Sequence, residues 1–333
     1  MTHYLIFGTG NDDVIRGFSG GDNIISLGGN DTIEAGSGDD TVFTLDGDDK
    51  VPGGNGTDLI LGGSGADFLN GGNNNDNLIG EDGDDIIFGG RGNDNIIGDG
   101  FDFSAVGNDT IYGGAGNDQL NAGAGADKVF GGSGKDIAVG GSDDEYVRGG
   151  ANNDQVFGAD GNDLVYGDRG DDSVIGGSGN DRVFGGSGND TLFGITPNFP
   201  QGLGQGEIDF LTGNTGKDTF ALAGIVGGDT KSVFYNDGDI SSAGINDYTF
   251  ITDFQYNDTI QLIGEANNYS LGVSPQALQS GTGIFFNDST AQELIGIVVD
   301  VLPENLSLIT LASLILSKYQ QTIGFCCKNF GHC

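Results

Sequence analysis

The chain has 333 residues, 66 of them Gly, and 12 Lys+Arg against 49 Asp+Glu give a formal net charge of −37. This acidity excludes nucleic acids and anionic membrane surfaces as partners, because their phosphates would be repelled, and it favours cations. Glycine is enriched far above its usual share without a Gly-X-Y period, which excludes a collagen-like fibre. Ile, Leu, Val and Phe are plentiful and regularly placed, so a folded chain is favoured over a disordered one.

The two ends of the sequence give little sign of targeting or cross-linking. No basic stretch followed by an apolar run opens the chain, so an N-terminal signal peptide is not expected. No stretch approaches the roughly 18 apolar residues of a transmembrane segment. The three cysteines lie in the last eight positions, at Cys326, Cys327 and Cys333. A disulfide framework therefore does not hold the body of the chain together.

A nine-residue repeat runs along most of the sequence. Its unit reads Gly-Gly-x-Gly-x-Asp-x-aliphatic-x, and an insertion of six residues near Phe101 lengthens one step to 15. An aliphatic side chain stands two residues after each repeated acidic position, from Ile24 to Leu192. The candidate metal ligands are Asp22, Asp31, Asp40, Asp49, Asp58, Asp67, Asp76, Asp85, Asp94, Asp109, Asp118, Asp127, Asp136, Asp154, Asp163, Asp172, Asp181 and Asp190.

Each part of the unit has a physical reason. Glycines permit a backbone with positive φ. Where the fourth position departs from Gly it becomes Asn74, Asp143 or Asn152, residue types that tolerate this conformation best. The last three residues predict a short strand whose middle side chain points inward. Because every ninth residue is then buried, the chain must return to the core after each turn, which predicts a solenoid of short parallel strands.

The unit resembles the nonapeptide of the repeats-in-toxin (RTX), or hemolysin-type calcium-binding, family over about residues 7–194, with degenerate units at Asp209 and Asp218. This resemblance implies an all-β parallel β-roll in which two nonapeptides complete one coil, closed by a β-rich C-terminal cap. It also implies Ca²⁺ between stacked coils, held by the Asp carboxylates and by loop carbonyls. Members of the family are commonly extracellular and leave the cell by type I secretion, read from an uncleaved C-terminal signal.

The residue types agree with calcium. Ca²⁺ takes hard oxygen ligands in forgiving geometry, whereas softer metals would use the Cys or His that the repeats lack. Pairing coils along the array predicts about 14–16 ions, enough to leave the loaded protein nearly neutral. Because ordering a coil costs more than its two buried aliphatics return, the chain is expected to be largely disordered without Ca²⁺. Irregular sites are expected at Glu145, one methylene too long, and at Asp12, out of step with Asp22.

Three segments are predicted along the chain. They are a calcium-binding roll over 1–194, degenerate repeats with a capping domain over 195–310, and a tail over 311–333. Alternating residues predict cap strands around a turn over 248–254 and 258–262. Asp253 and Asp258 there are either a further calcium site or a solvated turn. In the tail a Cys/His zinc cluster and an atypical chain end are the alternatives, and both leave an intact secretion signal in question.

No catalytic motif is convincing, so we expect no enzyme activity. The only histidines are His3 and His332, and a Gly-x-Ser-x-Gly match over 17–21 lies inside a glycine-rich turn without a suitable His after it. The sequence favours a secreted calcium-binding protein with a structural or interaction role. One alternative is the C-terminal module of a larger secreted enzyme or toxin of protease, lipase or epimerase type. Another is an ice-binding roll, which the irregular third position of the repeats disfavours.

One outward column of residues is mostly apolar. Residues three after alternate motif aspartates are expected to point outward on one sheet, provided that the insertion does not change sheets. This column consists of Ile25, Phe43, Leu61, Ile79, Ile97, Asn121, Val139, Phe157, Ile175 and Phe193. It reflects either β-propensity alone or an interaction face for self-association or for the cap.

Overall fold

The computed structural model describes residues 4–100, 106–196, 206–226, 230–233, 248–262, 269–275, 278–287 and 292–301. Across these ranges the chain is all-β, and none of it forms an apolar helix long enough to cross a membrane. Two long sheets and one small hairpin make up the fold, which confirms the predicted parallel β-roll. The cysteine-containing tail lies outside the described residues.

Sheet A contains 13 strands, all parallel. Its strands are β1 (Leu5–Phe7), β3 (Asn23–Ile25), β6 (Thr41–Asp46), β8 (Leu59–Ser64), β10 (Asn77–Asp82), β12 (Asn95–Ile97), β14 (Gln119–Ala124), β16 (Ile137–Ser142), β18 (Gln155–Asp160), β20 (Ser173–Ser178), β22 (Thr191–Ile195), β24 (Thr219–Ala221) and β28 (Thr259–Gln261). Successive strands of this sheet are separated in sequence by a strand of sheet B, so the chain winds from one sheet to the other.

Sheet B contains 16 strands and ends in an antiparallel segment. Its strands are β2 (Val14–Arg16), β4 (Thr32–Glu34), β5 (Gly36–Ser37), β7 (Lys50–Asn55), β9 (Phe68–Asn73), β11 (Ile86–Arg91), β13 (Thr110–Ala115), β15 (Lys128–Ser133), β17 (Tyr146–Ala151), β19 (Leu164–Arg169), β21 (Arg182–Ser187), β23 (Ile208–Thr215), β27 (Tyr248–Ile251), β29 (Tyr269–Val273), β30 (Gly281–Asn287) and β31 (Gln292–Val299). The separate hairpin joins β25 (Ala223–Val226) to β26 (Thr230–Val233).

Strand register confirms that two repeats form one coil. Val42 pairs with Ile60, and Ile60 pairs with Leu78, each 18 residues further along the chain. From β6 to β21 every strand except β12 covers six residues, twice the predicted length. The glycine-rich half of the unit continues the backbone pairing there, as where Leu45 pairs with Gly63. The positive φ expected at the fourth position is also present, for example 79° at Asn74.

The core is the double row of aliphatic side chains that the repeat predicts. All nineteen aliphatic positions from Ile24 to Leu192 are at most 2% exposed, and they form one continuous cluster between the two sheets. Alternation within each strand produces this arrangement, because the residue after the motif Asp and the one two further on point away from the core. Each coil therefore contributes one buried side chain from each sheet.

The insertion near Phe101 leaves the order of the sheets unchanged. Ile97 of β12 pairs with Asn121 of β14, so the predicted outward column of sheet A continues across it. Four members of that column are nevertheless only 6–7% exposed, namely Ile79, Ile97, Ile175 and Phe193. The column is therefore less open to solvent than the sequence predicted.

The C-terminal part continues the winding before it ends. The two predicted cap strands do not pair with each other. β27 adds in parallel to β23 of sheet B, whereas β28 adds in parallel to β24 of sheet A, so together they form one more coil. Antiparallel strands β30 and β29 then cover the last edge of sheet B next to β31.

Candidate metal site

The repeated carboxylates form two buried columns, one along each sheet. Column A comprises Asp22, Asp40, Asp58, Asp76, Asp94, Asp118, Asp136, Asp154, Asp172, Asp190, Asp218 and Asp258. Column B comprises Asp13, Asp31, Asp49, Asp67, Asp85, Asp109, Asp127, Glu145, Asp163, Asp181 and Asp209. All 18 sequence-predicted ligands stand in these columns and are at most 3% exposed.

One oxygen of nearly every column aspartate accepts a backbone N–H of the preceding coil. The Asp49 N–H donates to Oδ1 of Asp67 at 2.7 Å, and the Asp67 N–H donates to Oδ1 of Asp85 at 2.7 Å. The bond recurs along both columns. It fixes the side-chain rotamer and turns the other oxygen, Oδ2, toward the glycine-rich turn.

That second oxygen lacks a donor in most members of the columns. The buried Oδ2 atoms without a hydrogen-bond partner belong to Asp31, Asp40, Asp49, Asp58, Asp67, Asp76, Asp85, Asp94, Asp109, Asp118, Asp127, Asp136, Asp154, Asp163, Asp172, Asp181, Asp190 and Asp218. An unpaired buried charge costs several kcal/mol. Repeated along two columns, it indicates that positive charge belongs beside these oxygens.

Glycine at the first position of the unit leaves a space that a side chain would fill. A Cβ built on Gly80 would lie 2.0 Å from Oδ2 of Asp85 and 2.7 Å from the carbonyl oxygen of Gly98 in the next coil. A Cβ on Gly62 would lie 2.3 Å from Oδ2 of Asp67 and 2.7 Å from the carbonyl oxygen of Gly80. We call this space, where two oxygens from successive coils converge, the glycine cradle.

The donor set fits a hard cation. Each cradle offers a carboxylate oxygen and a carbonyl oxygen, the ligands that Ca²⁺ prefers. Within the described ranges no three Asp, Glu, His or Cys side chains converge on one point. Carbonyl oxygens would therefore have to supply a large share of the coordination, which suits calcium better than a metal that selects nitrogen or sulfur.

The sequence profile of the RTX calcium-binding nonapeptide repeat matches residues 5–33, 16–51, 34–69, 52–86, 70–102, 105–138, 139–174 and 166–194. The chain belongs to this family. Its matched segments span the same coils that carry the two columns, so the residues identified by the repeat and by the structure coincide. A comparison with curated proteins gives no match.

Four turns of this RTX roll carry a side chain in place of the cradle glycine. These residues are Ser26, Ala35, Thr44 and Ala122, all fully buried. They precede the carboxylates Asp31, Asp40, Asp49 and Asp127. The Thr44 hydroxyl donates to the carbonyl oxygen of Gly62, and the Ser26 hydroxyl donates to that of Thr44 at 3.0 Å. In these four turns the Cβ atom of the side chain occupies the cradle. In two of them the side-chain hydroxyl also donates to the carbonyl oxygen that faces the cradle.

Glu145 interrupts column B, as its extra methylene predicted. A Cβ built on Gly140 would meet Cγ of Glu145 at 2.7 Å, where other turns present a carboxylate oxygen. Both Glu145 carboxylate oxygens are buried without a donor. Burial, reinforced by the facing Asp163, raises the pKa of Glu145 to about 10. The cradle at this turn is filled by the side chain itself.

At the ends of the columns a backbone N–H binds Oδ2, and Asp22 and Asp258 have a backbone donor on each carboxylate oxygen. Asp22 Oδ2 accepts the Phe18 N–H at 2.7 Å, and Asp13 Oδ2 accepts the Thr9 N–H at 2.6 Å. Asp13 is the in-step residue, because β2 pairs with β4 and this places Asp13 opposite Asp31. Asp12 is out of step, as predicted, and its Oδ1 accepts the Asn30 N–H at 2.9 Å. At the other end Asp258 Oδ2 accepts the Gln255 N–H at 2.7 Å.

The remaining candidate in the cap also binds backbone. Asp253 accepts the N–H groups of Gly213 and Asn214 at 2.8 and 2.7 Å, one on each oxygen. Together with Asp258 it ties the last coil to the coil before it. Each oxygen of both carboxylates therefore accepts a backbone N–H, so this turn is not merely solvated.

Burial raises the pKa of most column carboxylates between Asp40 and Asp218 above its ordinary value. The pKa reaches about 7 at Asp67 and about 8 at Asp85, mainly through burial, and neighbouring column members raise it further. The backbone hydrogen bond to each carboxylate opposes this shift. Without a counter-charge the fold therefore resists ionisation of the columns near neutral pH.

Sequence reasoning missed two kinds of residue at these turns. The residue before each motif Asp is often Asn or Asp, and these exposed side chains form a second row, which we call the outer row. Its hydrogen bonds run in the reverse direction to those of the columns, because the N–H of the later coil donates to the side chain of the earlier one: the Asn162 N–H donates to Oδ1 of Asp144 at 2.8 Å. This row explains the preference without a metal. Asp99 stands at the second position of its unit, where most units have glycine. It is 6% exposed and its Oδ1 has no donor, so it adds a buried carboxylate beside column B.

Proposed function

We propose that this roll binds Ca²⁺ between successive coils and that the bound ions complete its fold. The row of buried Oδ2 atoms without donors carries this proposal. A hydrogen-bonding role alone would use one oxygen of each carboxylate and would be served equally by Asn, whose second atom is not negatively charged. The strict use of Asp, together with the open cradle beside Oδ2, supports a divalent cation.

The proposed ions are assigned to turns that have both a glycine cradle and an orphan Oδ2, meaning a buried Oδ2 atom without a hydrogen-bond donor. These turns belong to Asp58, Asp67, Asp76, Asp85, Asp94, Asp109, Asp118, Asp136, Asp154, Asp163, Asp172, Asp181, Asp190 and Asp218. On this criterion about 14 ions bind, within the range predicted from the repeat count. The set omits the blocked turns and the satisfied carboxylate of Asp22, and it adds Asp218, which the sequence treated as degenerate.

Folding and binding are then one equilibrium. Two columns of like charge at strand spacing oppose the stacking of coils, and a cation in the cradle offsets that repulsion while joining two coils. The chain is accordingly expected to lose most of its β-structure when calcium is removed. A protein that folds only at high calcium concentration suits an extracellular setting, and an unfolded chain suits export by type I secretion.

The proposed role of the protein is a structural or interaction role and not an enzymatic one. Nothing in the two columns resembles a nucleophile with an activating base, since each carboxylate is committed to a backbone N–H and to the cradle. The alternative is that these coils serve as the calcium-folded module of a larger secreted enzyme or toxin. A catalytic domain in the same reading frame would favour that alternative.

Self-association through sheet A is a further part of the proposal. The outward column runs in register along the sheet, as where Leu61 pairs with Ile79 and Phe157 with Ile175. None of the residues directly before or after the buried aliphatic of a sheet A strand is charged, so this part of two such faces can meet without repulsion. The exposed acids Asp46, Asp82 and Asp160 stand at the far ends of β6, β10 and β18. Replacing Phe43 and Leu61 by Thr should lower the sedimentation coefficient of calcium-loaded protein if the face associates, and leave it unchanged if only β-propensity is involved.

Calcium titration followed by circular dichroism tests the main proposal. We expect a weak β-signal in EDTA and a cooperative gain as calcium is added, with magnesium much less effective because it favours a rigid octahedron. Native mass spectrometry of the loaded protein should show about 14 bound calcium ions. The proposal is wrong if the β-signal in EDTA equals that in calcium.

A further inference from the structure

The two sheets differ sharply in charge. Ten Lys and Arg residues lie in the described part of the chain, and none of them belongs to a strand of sheet A. Seven belong to strands of sheet B, namely Arg16, Lys50, Arg91, Lys128, Arg148, Arg169 and Arg182. In a chain of net charge −37 this concentration of basic residues on one face is unexpected.

The basic residues follow the long axis of the roll. Arg16, Lys50, Arg91 and Lys128 stand on every second strand of sheet B, which corresponds to intervals of about 10 Å. The following three occupy successive strands β17, β19 and β21. Register places Lys50, Lys128 and Arg182 at the first residue of their strands and Arg16 and Arg148 at the third, whereas Arg91 and Arg169 end theirs. The first five therefore form a row about three residues wide that extends over most of the sheet.

Only two acidic side chains accompany the basic row on the outer face of the roll strands. Glu34 pairs with Arg16 at 3.0 Å, and Asp168 pairs with Arg148. Lys50 lies 5.6 Å from the ring centroid of Phe68. The face therefore keeps a net positive charge after its internal ion pairs are counted.

Aromatic rings fill the strip between these charges. Phe88 and Tyr112 stack with centroids 4.7 Å apart and planes within 6°, and Tyr112 stacks on Phe130 at 4.9 Å and 8°. Tyr166 and Phe184 form a further stacked pair. Because neighbouring rings cover each other's faces, they present mainly their edges, and the Tyr hydroxyls, to solvent.

We propose that the outer face of sheet B binds a linear anionic polysaccharide laid along the roll axis. The row of Arg16, Lys50, Lys128, Arg148 and Arg182 matches a stiff chain with anionic groups along its length, while ring edges and Tyr hydroxyls contact the sugar carbons and hydroxyls. This row covers the first three residues of each strand, a width of about 10 Å. A single polysaccharide chain is narrow enough to stay within it.

The surroundings of the face disfavour broader or stacking ligands. Exposed acidic residues border it in the turns on both sides, including Asp48, Asp84 and Asp144 on one side and Asp39 and Asp171 on the other. An anionic membrane would meet these charges at the same time as the basic row. Single-stranded nucleic acid gains affinity by stacking bases on open ring faces, which this face does not offer.

Binding of dextran sulfate and of uncharged dextran to the calcium-loaded chain tests the proposal. The face variant is Lys50→Gln with Lys128→Gln. Its matched control is Lys135→Gln with Lys217→Gln, which removes the same charge from exposed turn positions. Each protein is first checked for its saturated β-signal in calcium, and affinity is then measured at low and at raised ionic strength.

We expect dextran sulfate to bind in a salt-dependent way and dextran not to bind. The face variant should bind dextran sulfate about tenfold more weakly, whereas the control should change little. Equal weakening in both variants, no binding of dextran sulfate, or tighter binding to oligothymidylate or to phosphatidylserine vesicles would overturn the proposal. A missing β-signal in calcium would instead contradict the calcium-dependent fold, so the two failures are distinguishable.

Discussion

Replacing Asp67 by Asn should affect the calcium-free and the calcium-loaded protein in opposite directions. The Asn side chain retains the oxygen that accepts the Asp49 N–H at 2.7 Å, and it replaces only the orphan Oδ2. In calcium the variant loses a charged ligand beside the Gly62 cradle. In EDTA it loses a buried charge that has no partner.

The size of the calcium-free effect follows from the pKa. Burial raises the pKa of Asp67 from 3.8 to about 7. Ionising this carboxyl therefore costs about 4 kcal/mol more in the fold than in the unfolded chain, and Asn removes that cost at pH 7. In calcium, loss of a direct ligand should weaken binding at this turn by at least about tenfold, the lower end of what supporting residues around metals contribute.

The assay compares chemical unfolding in EDTA and calcium titration for the wild type, Asp67→Asn and a control. Asp48→Asn is the control, because Asp48 carries the same charge but lies exposed in the outer row, where its Oδ1 accepts the Ala66 N–H at 3.0 Å. We expect residual structure in EDTA to increase, and the calcium midpoint to rise, only for Asp67→Asn. If both variants behave alike, or if Asp67→Asn leaves the midpoint unchanged, the column carboxylates serve as hydrogen-bond acceptors and not as metal ligands.

Three further predictions concern pH, the cradle and the interrupted column. Burial raises the pKa to about 6 at Asp58 and to about 8 at Asp85, so the folded state takes up protons more readily than the unfolded chain. Stability in EDTA is therefore greatest near pH 4 and is lost as the pH rises through these values; a circular dichroism signal in EDTA that is independent of pH would contradict this. Gly80→Ala places a methyl group against two oxygens and should destabilise the calcium-loaded roll by about 1–3 kcal/mol, whereas Gly10→Ala, with nothing within 4 Å of its Cβ, should not. Thermal unfolding in calcium distinguishes the two, and equal shifts would argue against an open cradle. Glu145→Asp should empty the cradle of Gly140 and add one bound calcium ion by native mass spectrometry; an unchanged count would show that this turn is blocked for another reason.

The repeat predicted the fold because its spacing carries the geometry directly. A period of nine with an aliphatic two residues after each Asp leaves few arrangements other than stacked coils with one buried row per sheet. Ile24 and Leu192, at opposite ends of the array, are both fully buried as that spacing requires. The same spacing selects Asp13 over Asp12, because Asp13 lies nine residues before Asp22 and Ile15 stands two residues after it, and the pairing of β2 with β4 agrees.

The site was less predictable than the fold. Spacing shows which carboxylates stack, but not which oxygen of each is already bound to backbone. It also does not show that the first position of the unit faces the carboxylate oxygen, so Ala35 and Thr44 read as minor variations of the repeat. In the structure they are the residues that close the cradle. Similarly, the basic row on sheet B emerges only after odd and even turns are assigned to different sheets, which depends on the insertion near Phe101 leaving that order intact.

The blocked turns are not scattered, and their position predicts where the roll is ordered without calcium. Asp22 uses both carboxylate oxygens on backbone donors, Asp13 Oδ2 accepts the Thr9 N–H, and the next three turns have their cradles filled. No glycine cradle beside a buried Oδ2 without a donor therefore occurs before Asp58. A parallel strand can add to an existing edge at lower entropic cost than a first coil can form. Hydrogen exchange in EDTA should therefore show its strongest protection within residues 5–46, with protection extending toward the C terminus as calcium is added. Uniform exchange along the array in EDTA, or protection that begins near residue 150, would contradict this order of assembly.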